Sequence, residues 1–367
     1  MTEPVEDEGL LARKLKRMVA ALVLAGALVQ ILLSAYYLGV AHSPGPRHLP
    51  VGYSAQASSQ PAIKKLIETG GAFKARVYPD AAAMTRAIKK KQIYGGVDVA
   101  DLQRPHLYIA SAAGTAASSA IRTAFTEVLQ QQTELQVGKL EASGQPVPLA
   151  TVKALTAPPE ITDVAPLPKD DRAGGSLGLL VQALALGATV ASIGLGRIGE
   201  RTKRSIRRGL GHAGTLIVYA AASAAAVSWA ASWFGVIGGA AAGRIYLDFF
   251  LLSLAITAST AAFVALVGPA GALLGTMYFT LGVIISGSSI LPEFLPTWGR
   301  VVGQSLPTGA GVTAIRESLY FPAASRAAPI TVLALYAGIG LIVVLVTNAL
   351  ANRSHRPEII GLGHDDS

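Results

Sequence analysis

The feature that most constrains this chain is the recurrence of apolar runs about as long as a bilayer is thick. They cover residues 18–40, 177–195, 214–237, 246–267, 271–286 and 330–350. A spanning helix needs roughly 20 such residues, and all but 271–286 reach that length. The short run either extends toward Pro292 or stops inside the protein. The 51% hydrophobic and 14% charged residues exceed what a soluble core requires. The chain therefore predicts a multi-span α-helical membrane protein with about six transmembrane helices. Run 18–40 is too long for a signal-peptide core of roughly 7–15 residues and reads as a retained span.

The formal net charge of +9 does not point to nucleic acid, because the basic residues sit beside apolar runs, where they set orientation. The most basic short connection carries Arg197, Glu200, Arg201, Lys203, Arg204, Arg207 and Arg208, which predicts a cytoplasmic loop at 197–212. Alternation from it places segment 1–17 and tail 351–367 in the cytoplasm. It places segments 41–173 and 288–325 outside the cell membrane. Residues 1–8 read as disordered, whereas 10–18 put Leu11, Leu15 and Met18 on one helical face with Lys14 and Arg17 among the cations beside it. Such a helix suits an anionic membrane surface.

Between spans one and two the chain changes character and reads as an α/β domain. Strands are expected at 49–53, 73–78, 94–99 and 106–110, and helices at 60–68, 81–91 and 116–135, the second capped by Asp80. Lys89, Lys90 and Lys91 read as a solvated helix end. Residues 144–168, rich in proline, alanine and threonine, read as an extended return to the membrane. The boundaries that follow are 1–17, 18–40, 41–173, 174–350 and 351–367.

The stretch 276–321 starts as membrane helix, breaks at Gly287, and then carries Pro292, Pro296 and Pro307 among short apolar pieces that include Trp298 and Arg316. Trp298, Tyr320 and Phe321 are side chains that settle at a membrane-water boundary. The segment reads as a re-entrant or surface-lying hairpin at 288–325.

Chemistry-bearing motifs are sparse. With no cysteine there is no thiolate nucleophile, disulfide or cysteine-held metal, and the six histidines lack metal-ligand spacing. No phosphate-binding P-loop occurs; Gly194, Gly196 and Gly199 match a dinucleotide fingerprint only formally, because a membrane span precedes them. No serine-hydrolase elbow appears. Gly239 with Gly243, Gly271 with Gly275, and alanine-rich 220–231 permit close helix packing or a dimer face. Asp248, with Arg244 before it, is the main ionisable candidate within a span, fewer than a proton-driven carrier uses.

The order of these parts resembles ABC-2 type transporter permeases, most nearly the branch related to the YhgE/Pip membrane proteins: basic amphipathic start, one span, external α/β domain, further spans, and a Leu-Pro hairpin before the last. The resemblance implies a non-enzymatic export subunit that pairs with a second permease as homo- or heterodimer. It implies a separate ABC subunit that binds ATP, with no cofactor on this chain. Docking falls to Lys14, Arg17, Arg197, Glu200, Arg201, Lys203, Arg204, Arg207 and Arg208. The exit hairpin carries Pro292, Pro296, Trp298, Pro307 and Arg316. The few buried charges suit a hydrophobic or amphipathic cargo, and the spans place the protein against membrane lipid. The competing reading is a membrane-anchored receptor or interaction protein acting through its external domain.

Overall fold

The computed structural model describes residues 5–56, 71–99, 105–142, 158–200, 205–237 and 241–353. The helix expected at 60–68 and Arg201, Lys203 and Arg204 lie outside these. The chain forms two compact units, 1–44 and 45–367.

The first unit is helix α1, Val5–Ala41. The surface-lying helix and the span that the sequence separates are one continuous helix, since neither glycine nor proline interrupts residues 10–18. Its apolar side chains stay exposed round the helix, Leu22 at 73% and Leu24 at 71%, which only a non-aqueous surrounding tolerates.

The second unit begins with a five-stranded mixed sheet. Its strands are β1 (Leu49–Ser54), β2 (Phe73–Tyr78), β3 (Gly95–Asp98), β4 (His106–Ile109) and β5 (Glu160–Asp163). They lie in the order β2-β1-β3-β4-β5, with only β3 and β4 antiparallel. Helices α2 (Ala81–Lys89) and α3 (Thr115–Ala142) cover it. Asp80 caps α2 as its sequence position predicts, with Oδ1 accepting from the Ala83 amide at 2.6 Å. Strand β5 lies in the segment read as an extended return. It is four residues long with three exposed, so no alternation marked it.

The remaining helices are α4 (Ser176–Glu200), α5 (Ile206–Trp233), α6 (Ala242–Val267), α7 (Leu273–Met277), α8 (Val283–Ile285), α9 (Thr297–Ser305), α10 (Pro307–Tyr320) and α11 (Ala327–Arg353). Helix α6 is apolar all round and packs against α4, α5, α10 and α11. Such a helix belongs at the centre of a bundle, and Phe249, Leu252 and Ile256 are fully buried there.

Five helical stretches among the described residues are long and apolar enough to cross a membrane, against the six runs of the sequence. The difference lies in residues 242–285, which count as one stretch but fold back on themselves. Gly268 takes φ 78°, a left-handed conformation that ends α6 and reverses the chain. Gly271 then lies against the Phe263 and Val264 backbone, Gly275 against Thr260 and Thr189, and the Ser259 hydroxyl meets Tyr278 Oη at 3.2 Å. The returning leg, α7, a π turn at Tyr278–Gly282 and α8, is about 20 Å long and stops short of a bilayer's roughly 30 Å core. The pair 271/275 makes a close approach; nothing lies within 4 Å of a side chain placed at Gly243, and Gly239 lies outside the described residues.

Beyond Gly287 each proline opens a segment. Pro292 begins a 3-10 turn, Pro296 caps α9, and Pro307 is the first residue of α10, where its fixed φ and missing N–H cost nothing. Helix α9 lies at the surface with Trp298, Val301 and Val302 outward, while Gln304 turns inward to donate to the Ser286 carbonyl at 3.0 Å. Helix α10 is buried over most of its length. Of the hairpin's two successive helices, α9 is therefore surface-exposed and α10 buried within the protein. At Gly303 a Cβ would collide with the Ile285 carbonyl oxygen. Gly303→Val is therefore expected to destabilise the chain by about 1–3 kcal/mol or more through overpacking, read as a lower melting midpoint in detergent.

Candidate functional site

The sheet does not close its own core. Leu291, Phe294 and Phe321 from the hairpin pack among Leu49, Met84, Ile88, Leu107 and Ile121. The Arg47 amide donates to the Glu293 carbonyl at 2.8 Å, and Gly114 abuts Leu291. Phe321 is 1% exposed, so it serves this core and not a membrane boundary as its aromatic character suggested; Tyr320 is half-buried beside it.

The site is built on one turn of α10. Successive helical residues point about 100° apart, so three in a row face three directions. Arg316 donates to the Gly287 carbonyl at 2.7 Å, holding the break that opens the hairpin. Glu317 accepts from Lys91 Nζ at 3.2 Å, reaching the α/β domain. Ser318 donates to Asp248 Oδ2 at 2.5 Å, reaching central helix α6. Arg326 Nη1 completes that contact at 2.7 Å from Asp248 Oδ1 and 2.9 Å from Ser318 Oγ. Arg244, the neighbour suggested by sequence proximity, donates instead to the Pro322 carbonyl at 3.5 Å.

Lys91 overturns the reading of its lysine run. Lys89 and Lys90 are exposed, but Lys91 takes φ 54° just past the helix end and buries its side chain to 10% exposure. Burial and the nearby Arg316 push its ammonium below the usual lysine range, against the opposing pull of Glu317. Tyr94 lies against the Glu293 carboxylate, and burial followed by that charge raises its phenol well above the usual value. Burial lowers Arg316, opposed by Tyr94 and Glu293.

Sequence reasoning found Arg316 and missed Lys91, Glu317, Ser318 and Arg326. One signal was available: Arg316-Glu317 is a charged pair inside a helix otherwise made of small and apolar residues.

The described docking residues lie on three helices. Lys14 and Arg17 are exposed on α1, Arg197 and Glu200 end α4, and Arg207 and Arg208 occupy the exposed first turn of α5 after the cap Ser205. Cations in a first turn oppose the helix dipole, so local helix energetics does not account for them there.

Helices long and apolar enough to cross a membrane, joined through the hairpin to a mixed sheet, define a multi-pass helical membrane protein. The chain belongs to the family described as ABC-2 family transporter protein, which matches residues 16–351. No curated protein and no solved structure matches it significantly. Members of this family are transport membrane subunits, not catalytic enzymes, and typically work with an ATP-binding subunit.

Proposed function

We propose that this chain is the permease subunit of an ABC-2 export system of the YhgE/Pip-like branch. A separate subunit binds the ATP, a second permease completes the pathway, and the cargo is hydrophobic or amphipathic. The observation that carries the reading is the turn 316–318, which ties the hairpin to a central span on one side and to the α/β domain on the other. A displacement of the bundle reaches the hairpin through Asp248 and cannot proceed without pulling on Lys91.

In this reading segments 1–17, 197–212 and 351–367 face the cytoplasm, and 41–173 and 288–325 face outward, as the basic connection after α4 favours. The ATPase docks on Lys14, Arg17 and the cations from Arg197 to Arg208, with Glu200 as their one acid. Reversing Arg204, Arg207 and Arg208 to glutamate places like charges against an acidic docking face, at a cost of several kcal/mol, and is expected to abolish ATP-dependent export while the chain stays folded. Unchanged export would sink the docking assignment. Affinity purification in mild detergent with mass spectrometry of the bound proteins is expected to yield a stoichiometric P-loop ATPase. Its reproducible absence would favour the receptor reading.

A further inference from the structure

Two chambers meet at the hairpin and share Leu167 and Tyr320 as walls. One, of about 700 Å³, is lined by apolar side chains that include Val164, Val236, Leu319 and Pro322. The other, of about 220 Å³, is more polar, with Thr115, Ser288, Ser289 and Arg316 set among small and apolar residues such as Ala112 and Leu291. The first lies in the size range of small-molecule sites, about 300–1,000 Å³. The second equals roughly seven waters of liquid volume, room for a compact head group.

The charged side chains lining the chambers are cations, with the carboxylates that act on Arg316 and Tyr320, Glu293, Glu317 and Asp171, outside both linings. Lys89 and Lys169 line the apolar chamber and Arg316 the polar one, and no carboxylate lines either. Arg316 is 5% exposed, yet among the described residues it makes a single hydrogen bond, to the Gly287 carbonyl, whereas a guanidinium offers five N–H donors. Between the chambers stands Tyr320, whose buried Oη has no hydrogen-bond partner among the described residues. A buried polar atom of this kind calls for an occupant that can bond to it.

We infer that the two chambers form one binding site for an anionic amphiphile, with its oxyanion head against Arg316, the Ser289 hydroxyl and Tyr320 Oη and its apolar body in the larger chamber. The inference rests on the export reading only for the occupant's role as cargo. The fork of Arg316 matches an oxyanion such as a phosphate monoester. The same head chemistry could come from a lipid or from free phosphate, and the test separates them.

Binding is measured on the purified full chain in a neutral detergent, without any ATPase, using oleoyl lysophosphatidic acid, monooleoylglycerol and inorganic phosphate. The lysophosphatidic acid is expected to bind at least about tenfold more tightly than either of the others, the scale of a charged hydrogen bond. Arg316→Gln is expected to weaken it by roughly 10- to 100-fold and to leave monooleoylglycerol unchanged. Because Arg316 is buried, a second variant guards against misfolding: Ala323→Trp, on the exposed rim of the apolar chamber, should weaken both lipids. Equal binding of the charged and neutral lipids would overturn the inference, as would phosphate alone binding as tightly as the lipid. Intact binding with no ATP-dependent export of the lysophosphatidic acid by the chain and its ATPase partner would instead fault the export reading.

Discussion

Glu317→Leu is expected to cost about 3–5 kcal/mol of stability, the scale for removing one partner of a buried ion pair. The carboxylate sits 3.2 Å from Lys91 Nζ, both side chains are 10% exposed, and Arg316 already acts electrostatically against Lys91. Without Glu317 two cations face each other out of water. Lys91→Met should cost less, because Arg316 remains to offset Glu317. The double variant should recover much of the loss, since two apolar side chains need no counter-charge. Melting midpoints of the four proteins in detergent form the cycle, with exposed Lys90→Met as control. Additive effects, or a Glu317→Leu no worse than the control, would show that the pair does not hold the hairpin.

Asp248→Leu should be comparably damaging for a different reason. Asp248 is fully buried and accepts from both Ser318 and Arg326, and hydrogen bonds to a charged group are worth about 1.5–3 kcal/mol each. Arg326 is 20% exposed and can turn partly to water, so a total of about 3–5 kcal/mol is expected. The hairpin should also loosen from α6. The natural chain has no cysteine, so a single cysteine at Ala324 reports this as faster maleimide labelling. Equal labelling rates with and without Asp248 would show that α10 is held by packing alone.

Local features were legible in the sequence. Asp80 announced its cap, the apolar runs announced the bundle, and the prolines announced the hairpin, because each of these acts through neighbours in the chain. The site was mostly illegible because its bonds join distant segments. Nothing local distinguishes Lys91 from Lys89 and Lys90; only the left-handed backbone at Lys91 and the arrival of Glu317 set it apart. Asp248 was noticed, but its partner was sought four residues away and lies on the chain's last approach to the membrane. Phe321 has the side chain of a boundary residue, and its place in the sheet's core follows from tertiary packing. The docking residues were read from the family resemblance, charge alone giving only their cytoplasmic side, and Arg201, Lys203 and Arg204 lie outside the described residues.

The shared core has a consequence for biogenesis. Leu49 and Met84 leave the ribosome early, while Leu291, Phe294 and Phe321, which finish their packing, emerge only after most of the apolar helices have been made. The sheet must therefore wait, with an apolar side uncovered, through the insertion of the bundle that follows it. A half-made chain in this condition is prone to aggregation and a natural client for a chaperone. Completion of the domain becomes a late event, which reports that the chain downstream has arrived in its proper place.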